Sequence, residues 1–314
     1  MSRRRSTTVA AAVSLAAAAA GCGFGPGEST SGEVTLTVTR DYGANVLIET
    51  SEEDPAESET VIRFLDRETE LTTRYGGGFV QSIDGISGTV ADGRSIDWFF
   101  FVNGIESPRG AADVPAHGGD RIWWDYRDWT DALRTPAVVG SWPEPFAQVS
   151  AGTERLPVRV VCLTVRRPCS DTVERLAAEG VDASIEPRRA VAHADAEALR
   201  VLVGPWARVR SDRVAATLEH EPATSGVFAR FERAASGWRL AALDESAAPV
   251  ERLGAGAGLV AGLRAGDDPA TWLVTGTDGA GVEAAVGLLR TDSLAHRYAI
   301  ASAGGHEIPL PEGG

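Results

Sequence analysis

The segment Ile96-Asp-Trp-Phe-Phe-Phe-Val102 constrains this chain more than any other. Side chains alternate along a strand, so Trp98, Phe100 and Val102 share one face and Asp97, Phe99 and Phe101 the other. Both faces are largely apolar, a pattern that suits a central strand covered on both sides. Turn dipeptides bracket it, Asp92-Gly93 before and Asn103-Gly104 after.

The surrounding sequence predicts the rest of a sheet. Glu33 to Arg40 alternates apolar and polar residues with several β-branched ones, a half-buried strand. Asp41 to Ala44 supplies a turn and Asn45 to Thr50 a second strand, which makes a hairpin. Ser51 to Glu59 carries Glu52, Glu53, Asp54, Glu57 and Glu59. It lacks the alternating ligands and turn glycine of a calcium loop, so it reads as a solvated acidic loop. Ser58 is an N-cap candidate for a short helix whose apolar face is Val61, Ile62 and Leu65. Leu71 to Tyr75 and Phe79 to Ile83 read as strands split by Gly76-Gly-Gly78, and Asp120 to Tyr126 as the last strand. A hairpin, one helix, then several strands is an α+β pattern of the β-grasp type.

Three separate motifs in register carry a resemblance: Trp98-Phe-Phe-Phe-Val-Asn-Gly104, Gly110-Ala-Ala and Gly119-Asp-Arg-Ile-Trp-Trp-Asp-Tyr126. Over residues 33–127 the chain resembles the transcobalamin C-terminal-like family. This is a bacterial domain related to the smaller cobalamin-binding domain of transcobalamin and intrinsic factor. The resemblance implies a ubiquitin-like β-grasp fold and binding of a corrinoid or another large flat ligand. It implies no catalysis.

The run Trp123-Trp124-Asp125-Tyr126-Arg127-Asp128-Trp129 holds four aromatics that cannot all point inward from one strand. They either line a ligand surface or pack against a second domain, together with Trp142. As a ligand surface they give Trp123, Trp124, Tyr126 and Trp129, to which Phe79 and Asn103 are added. Asn103 is most simply a turn residue. His117 sits in a Gly/Pro-rich loop; it reads as surface rather than as a metal ligand. No metal site is predicted.

Residues 137–157 hold three prolines and read as a linker. Beyond it, residues 158–303 predict an α/β domain with a mostly parallel sheet, followed by a tail at 304–314. Strands are expected at 157–165, 199–204, 226–231, 238–243, 272–276 and 298–301. Helices are expected from Ser170 to Glu179, Trp206 to Leu218, Ala248 to Leu263 and Gly279 to Leu289. Thr275-Gly-Thr-Asp-Gly-Ala-Gly281 reads as a structural turn rather than an anion cradle, since it lacks the phosphate-loop lysine. Cys162 and Cys169 do not have a redox or zinc spacing; a structural disulfide is favoured over two free thiols.

The amino terminus reads as an address. Arg3, Arg4 and Arg5 precede a short apolar stretch, which meets Ala-Ala-Gly-Cys22. This is similar to a bacterial lipobox, with Ala19 where such boxes usually carry Leu. It predicts a signal peptide at 1–21, lipidation of Cys22 and a flexible tether at 22–32. A plain secretory signal or a twin-arginine route are the alternatives.

Charge narrows the partners. The chain is −14 overall, with 44 acids, 30 bases and no lysine. Removal of residues 1–21 takes three arginines and no acid, leaving −17. That excludes a nucleic-acid binder, which needs a basic face. Absence of lysine excludes Schiff-base and P-loop chemistry. No Gly-x-Ser-x-Gly motif or zinc-helix histidine pair appears. The expectation is a lipid-anchored binding protein, not an enzyme and without a cofactor. It captures a small extracellular ligand, a corrinoid being one candidate, for an uptake transporter. The alternatives are a cell-surface scaffold without a small ligand, and an extracellular hydrolase using the α/β half.

Overall fold

The computed structural model describes residues 29–75, 78–147, 155–187, 198–219 and 225–313. Cys22, the signal segment and most of the tether lie outside the described residues. The chain is mostly β, with mixed and antiparallel sheets.

The first half contains β1 (Glu33–Arg40), β2 (Asn45–Glu53), α1 (Val61–Glu68), β3 (Leu71–Arg74), β4 (Phe79–Ile83), β5 (Ile86–Ser87), β6 (Thr89–Ala91), β7 (Arg94–Val102), β8 (Ile105–Glu106) and β9 (Arg121–Asp128). Its main sheet runs β2–β1–β9–β7–β6, with β8 also on β7. The β1–β9 pair is parallel and the others antiparallel. The aromatic strand β7 is central, as its two apolar faces require. Alternation sends Val34, Leu36 and Val38 of β1 to one face, where they meet Val61, Phe64 and Leu65 of α1. Trp98, Phe100 and Trp124 complete that core. Thr60, not Ser58, caps α1: its hydroxyl accepts from the Arg63 N–H at 3.4 Å. The β3–β4–β5 sheet packs Val80 and Ile83 into the same core.

The second half contains β10 (Val158–Cys162), α2 (Arg166–Ala178), β11 (Ala183–Pro187), β12 (Leu199–Pro205), α3 (Trp206–Val209), β13 (Ala229–Ala234), β14 (Gly237–Leu243), β15 (Pro249–Leu253), β16 (Gly258–Leu263), β17 (Thr271–Gly276), α4 (Gly279–Gly287), α5 (Thr291–Leu294), β18 (Ala299–Ala303) and β19 (His306–Leu310). Its large sheet runs β11–β10–β12–β17–β16–β18–β19. The pairings from β11 to β17 are parallel; those from β17 to β19 are antiparallel. The sheet is therefore evenly mixed, which corrects the mostly parallel expectation.

Three segments depart from the sequence expectation. The helix expected over Ala248 to Leu263 is instead β15 and β16. Every residue of β16 is buried, and a short apolar run covered on both faces has no periodicity to distinguish strand from helix. Gly254, Gly256 and Gly258 also weaken a helix there, and Gly256 has φ +78°. The expected tail forms β19 on β18. The helix expected from Trp206 shrinks to α3 and a 3-10 turn at Ala215–Glu219.

The expected linker is also packed, at least over 137–147. Val138, Val139, Trp142 and Phe146 are all buried. Trp142 and Phe146 meet Trp272 of β17, with ring centroids 5.6 and 5.0 Å away. Large apolar side chains override the proline content here: hiding these rings outweighs the tendency of such a run to stay extended.

Asp278 settles the glycine-rich turn before α4. Its carboxylate accepts from the Gly281 N–H and the Gly256 N–H, both at 2.9 Å. A side chain of the protein thus fills the place an anion would take. Cys162 and Cys169 form a disulfide, their Cα atoms 5.8 Å apart. It joins the end of β10 to α2. The small loop it closes predicts a loss of about 2.5 kcal/mol on reduction. Urea unfolding with and without a reductant checks this; equal midpoints would contradict it.

Candidate functional site

The face of the first sheet away from α1 meets the second half. Along β1 this face carries Glu33, Thr35, Thr37 and Thr39; along β9 it carries Arg121, Trp123 and Asp125. Register aligns them into ranks. Ser51, Thr35 and Arg121 form one rank across β2, β1 and β9; Glu49, Thr37 and Trp123 form the next.

At the Asp125 end the two halves are closed together. Tyr42, Phe101 and Trp123 share one apolar cluster with Phe228 and Tyr298. Tyr42 meets Phe228 and Tyr298 edge-on, each at 5.1 Å. Asp125 is fully buried beneath them. It accepts from the Thr39 hydroxyl at 2.6 Å, the Tyr298 hydroxyl at 2.8 Å and the Gly43 N–H at 3.1 Å. Trp123 donates its indole N–H to Thr39 at 2.8 Å. Burial pushes the Asp125 carboxyl above its usual range, against those hydrogen bonds. Burial, then the Asp125 charge, holds the Tyr298 phenol well above its own. Gly43 has to be glycine: its φ is +81°, and a Cβ would lie 2.0 Å from the His296 carbonyl oxygen.

At the Glu33 end the halves part and leave a cleft of about 390 Å³. Its floor is the two ranks of sheet residues with Glu33. Its walls are Gly140 to Trp142 and the Thr291 to His296 segment. Gly140 allows the close wall, since a Cβ there would lie 2.7 Å from the Trp123 ring. His296 reaches across to Glu49, Nε2 to Oε1 2.9 Å. Burial holds the His296 pKa below its usual value, and the neighbouring Arg297 lowers it further; Glu49 opposes both. Arg121 and Glu33 also line the cleft, and neither side chain has an ion-pair or hydrogen-bond partner among the described residues.

Of the aromatic candidates, Trp123 alone lines this cleft. Trp124 points to the opposite face and stacks on Phe100 at 4.7 Å. Tyr126 shares that face, 5.1 Å from Trp98, and donates to the Ser87 carbonyl. Trp129 is half-buried past the end of β9, and Phe79 is exposed on β4. Asn103 holds a turn at φ +56°. Its Nδ2 donates to Asp120 at 2.7 Å and its Oδ1 accepts from the Arg121 N–H at 2.9 Å. The candidates therefore do not form one aromatic wall, because the strand alternation that splits them places Trp124 and Tyr126 on the α1 side. His117 pairs with Asp120, Nδ1 to Oδ2 3.5 Å. Among the described residues no three His, Cys, Asp or Glu side chains gather as a metal site. Arg121, Glu33, Glu49 and His296 escaped sequence reading, since parallel pairing of β1 with β9 and docking of the second half bring them together.

Comparison with known proteins covers part of the chain. Residues 58–128, from just before α1 to the end of β9, match the family described as Domain of unknown function (DUF4430). No curated protein matches. Among solved structures, a candidate metal-binding protein from Ruminococcus gnavus ATCC 29149 is similar at 16% identity. The match covers 31% of this chain and 98% of that one, at a TM-score of 0.25.

Proposed function

We propose that this chain is an exported, lipid-anchored binding protein that captures a small extracellular ligand for uptake in the cleft between its halves. The observation that carries the reading is the cleft itself: a concave site with convergent polar groups on a rigid sheet floor, walled by a second domain. Sites of this kind occur preferentially at domain interfaces. The lipobox-like Ala-Ala-Gly-Cys22 supports export and anchoring. Lipidation of Cys22 would hold the acidic body at the bilayer, and an uptake transporter would be the downstream partner.

The finer fold reading supports this. The order β2–β1–β9–β7–β6, with a parallel central pair and α1 across one face, is the order expected of a β-grasp. It agrees with the transcobalamin-like motifs in β7 and β9. A volume of 390 Å³ is near the lower end for small-ligand sites. It favours a compact ligand over a whole corrinoid.

Equilibrium dialysis against a yeast-extract dialysate, with mass spectrometry of the retained solutes, tests capture. One solute should be retained by the parent chain and lost from Ser51→Trp. Ser51 is exposed on β2 and lines the cleft, so the indole fills the site without entering the core. Retention of nothing, or equal retention by both chains, would contradict the reading.

A further inference from the structure

The cleft holds two opposite charges that do not meet. Glu33 and Arg121 both line it, and no ion pair joins them. The strands fix their backbone separation. Arg121 is in register with Thr35, two residues beyond Glu33 on the neighbouring strand. Strand spacing and rise place their Cα atoms roughly 8 Å apart. Both Cα positions are held by paired strands, and the two long side chains can close on a ligand lying between them. The second acid of the cleft, Glu49, is held by His296.

Net charge narrows what fits between them. The chain is −14, yet the cleft sets Arg121 beside its two acids, Glu33 and Glu49, with His296 contacting Glu49. A purely anionic ligand would be repelled by the body and would leave the Glu33 carboxylate unmatched. A purely cationic ligand would leave Arg121 unmatched. A ligand with both charges satisfies both ends. Arg121 is suited to a carboxylate, which its planar guanidinium can grip with two hydrogen bonds. Glu33 is suited to an ammonium. Beside them, the hydroxyls of Thr35 and Ser51 offer donors and acceptors to a polar backbone. A dipeptide spans about 7 Å end to end, comparable to that Cα separation.

We propose that the cleft binds a short zwitterion, an amino acid or dipeptide, with its carboxylate on Arg121 and its ammonium on Glu33. This rests on the capture reading and names the ligand class of that site.

Isothermal titration calorimetry of the full chain tests it with L-alanine and L-alanyl-L-alanine, beside the N-acetylated and C-amidated dipeptides. At least one free zwitterion should bind one to one. Each blocked dipeptide should bind at least tenfold more weakly than the free one. Glu33→Gln and Arg121→Gln should each weaken binding at least tenfold with unchanged Tm. Blocked dipeptides that match the free form, variants that bind like the parent, or no binding of either zwitterion overturn the proposal. Cyanocobalamin and the yeast-extract dialysate, run in parallel, separate the two readings. If either supplies a solute whose retention Ser51→Trp abolishes, capture stands and only the zwitterion falls. If neither does, both fall.

Discussion

Asp125→Ala should lower the unfolding free energy by about 2–5 kcal/mol, the cost of leaving buried donors without their acceptor. The carboxyl is fully buried and takes three donors, from Thr39, Tyr298 and Gly43. Alanine leaves the Tyr298 hydroxyl and the Gly43 N–H without their acceptor, while Thr39 keeps its 3.3 Å bond to the Trp124 carbonyl, and each orphan costs about 1–3 kcal/mol. Arg127 also loses a nearby opposite charge, although Glu106 remains 3.6 Å away. Asp125→Asn keeps an acceptor and should cost less. The two variants also separate by pH. Burial raises the Asp125 pKa in the folded chain above its unfolded value. Its contribution is therefore full below the ordinary Asp pKa and is lost as pH rises through the raised one. Asp125→Asn should lack that slope. Urea unfolding of the three chains across the acidic to neutral range measures both effects. A cost below about 1 kcal/mol for Asp125→Ala would show that the network is dispensable.

Trp142→Ala should cost about 3–5 kcal/mol, as for other large buried aromatics. The ring is buried between Phe146 and Trp272, with centroids 6.3 and 5.6 Å away. Its indole N–H has no hydrogen-bond partner among the described residues. Shape rather than polarity is what the site uses, so Trp142→Phe should cost much less, about 1–2 kcal/mol. Residues 137–147 should also become open to limited proteolysis in Trp142→Ala and stay protected in the parent chain. If the alanine variant unfolds within about 0.5 kcal/mol of the parent, the segment is a passive connector.

These two sites show where the sequence was readable. β7 was legible because two apolar faces and flanking Asp-Gly and Asn-Gly turns leave one arrangement, and local alternation is enough to see it. The hairpin of β1 and β2, the break before Phe79 and the short helix α1 were legible for the same reason. β16 was not, because Gly258 to Leu263 is buried throughout and carries no alternation. The candidate site was the least legible part. Trp123 and Trp124 are adjacent in sequence and look alike, yet they serve opposite faces. Arg121 looks like an ordinary strand-end charge until β1 lies parallel to β9 and sets Thr35 beside it. His296 lies more than 240 residues from Glu49 in sequence, so no local pattern predicts their contact.

The Asp125–Tyr298 bond has a consequence in time. Its partners are 173 residues apart in the chain. At a synthesis rate of about 5–20 residues per second, Tyr298 follows Asp125 by roughly ten to thirty-five seconds. For that interval the first sheet can fold against α1, but Phe101 and Trp123 lack the Tyr298 ring that closes their other side. An order of assembly follows: the α1 core closes early, and the cleft comes into being only when its last wall is made. A nascent chain stalled before residue 290 should display that sheet face to chaperones, and one released after residue 300 should not.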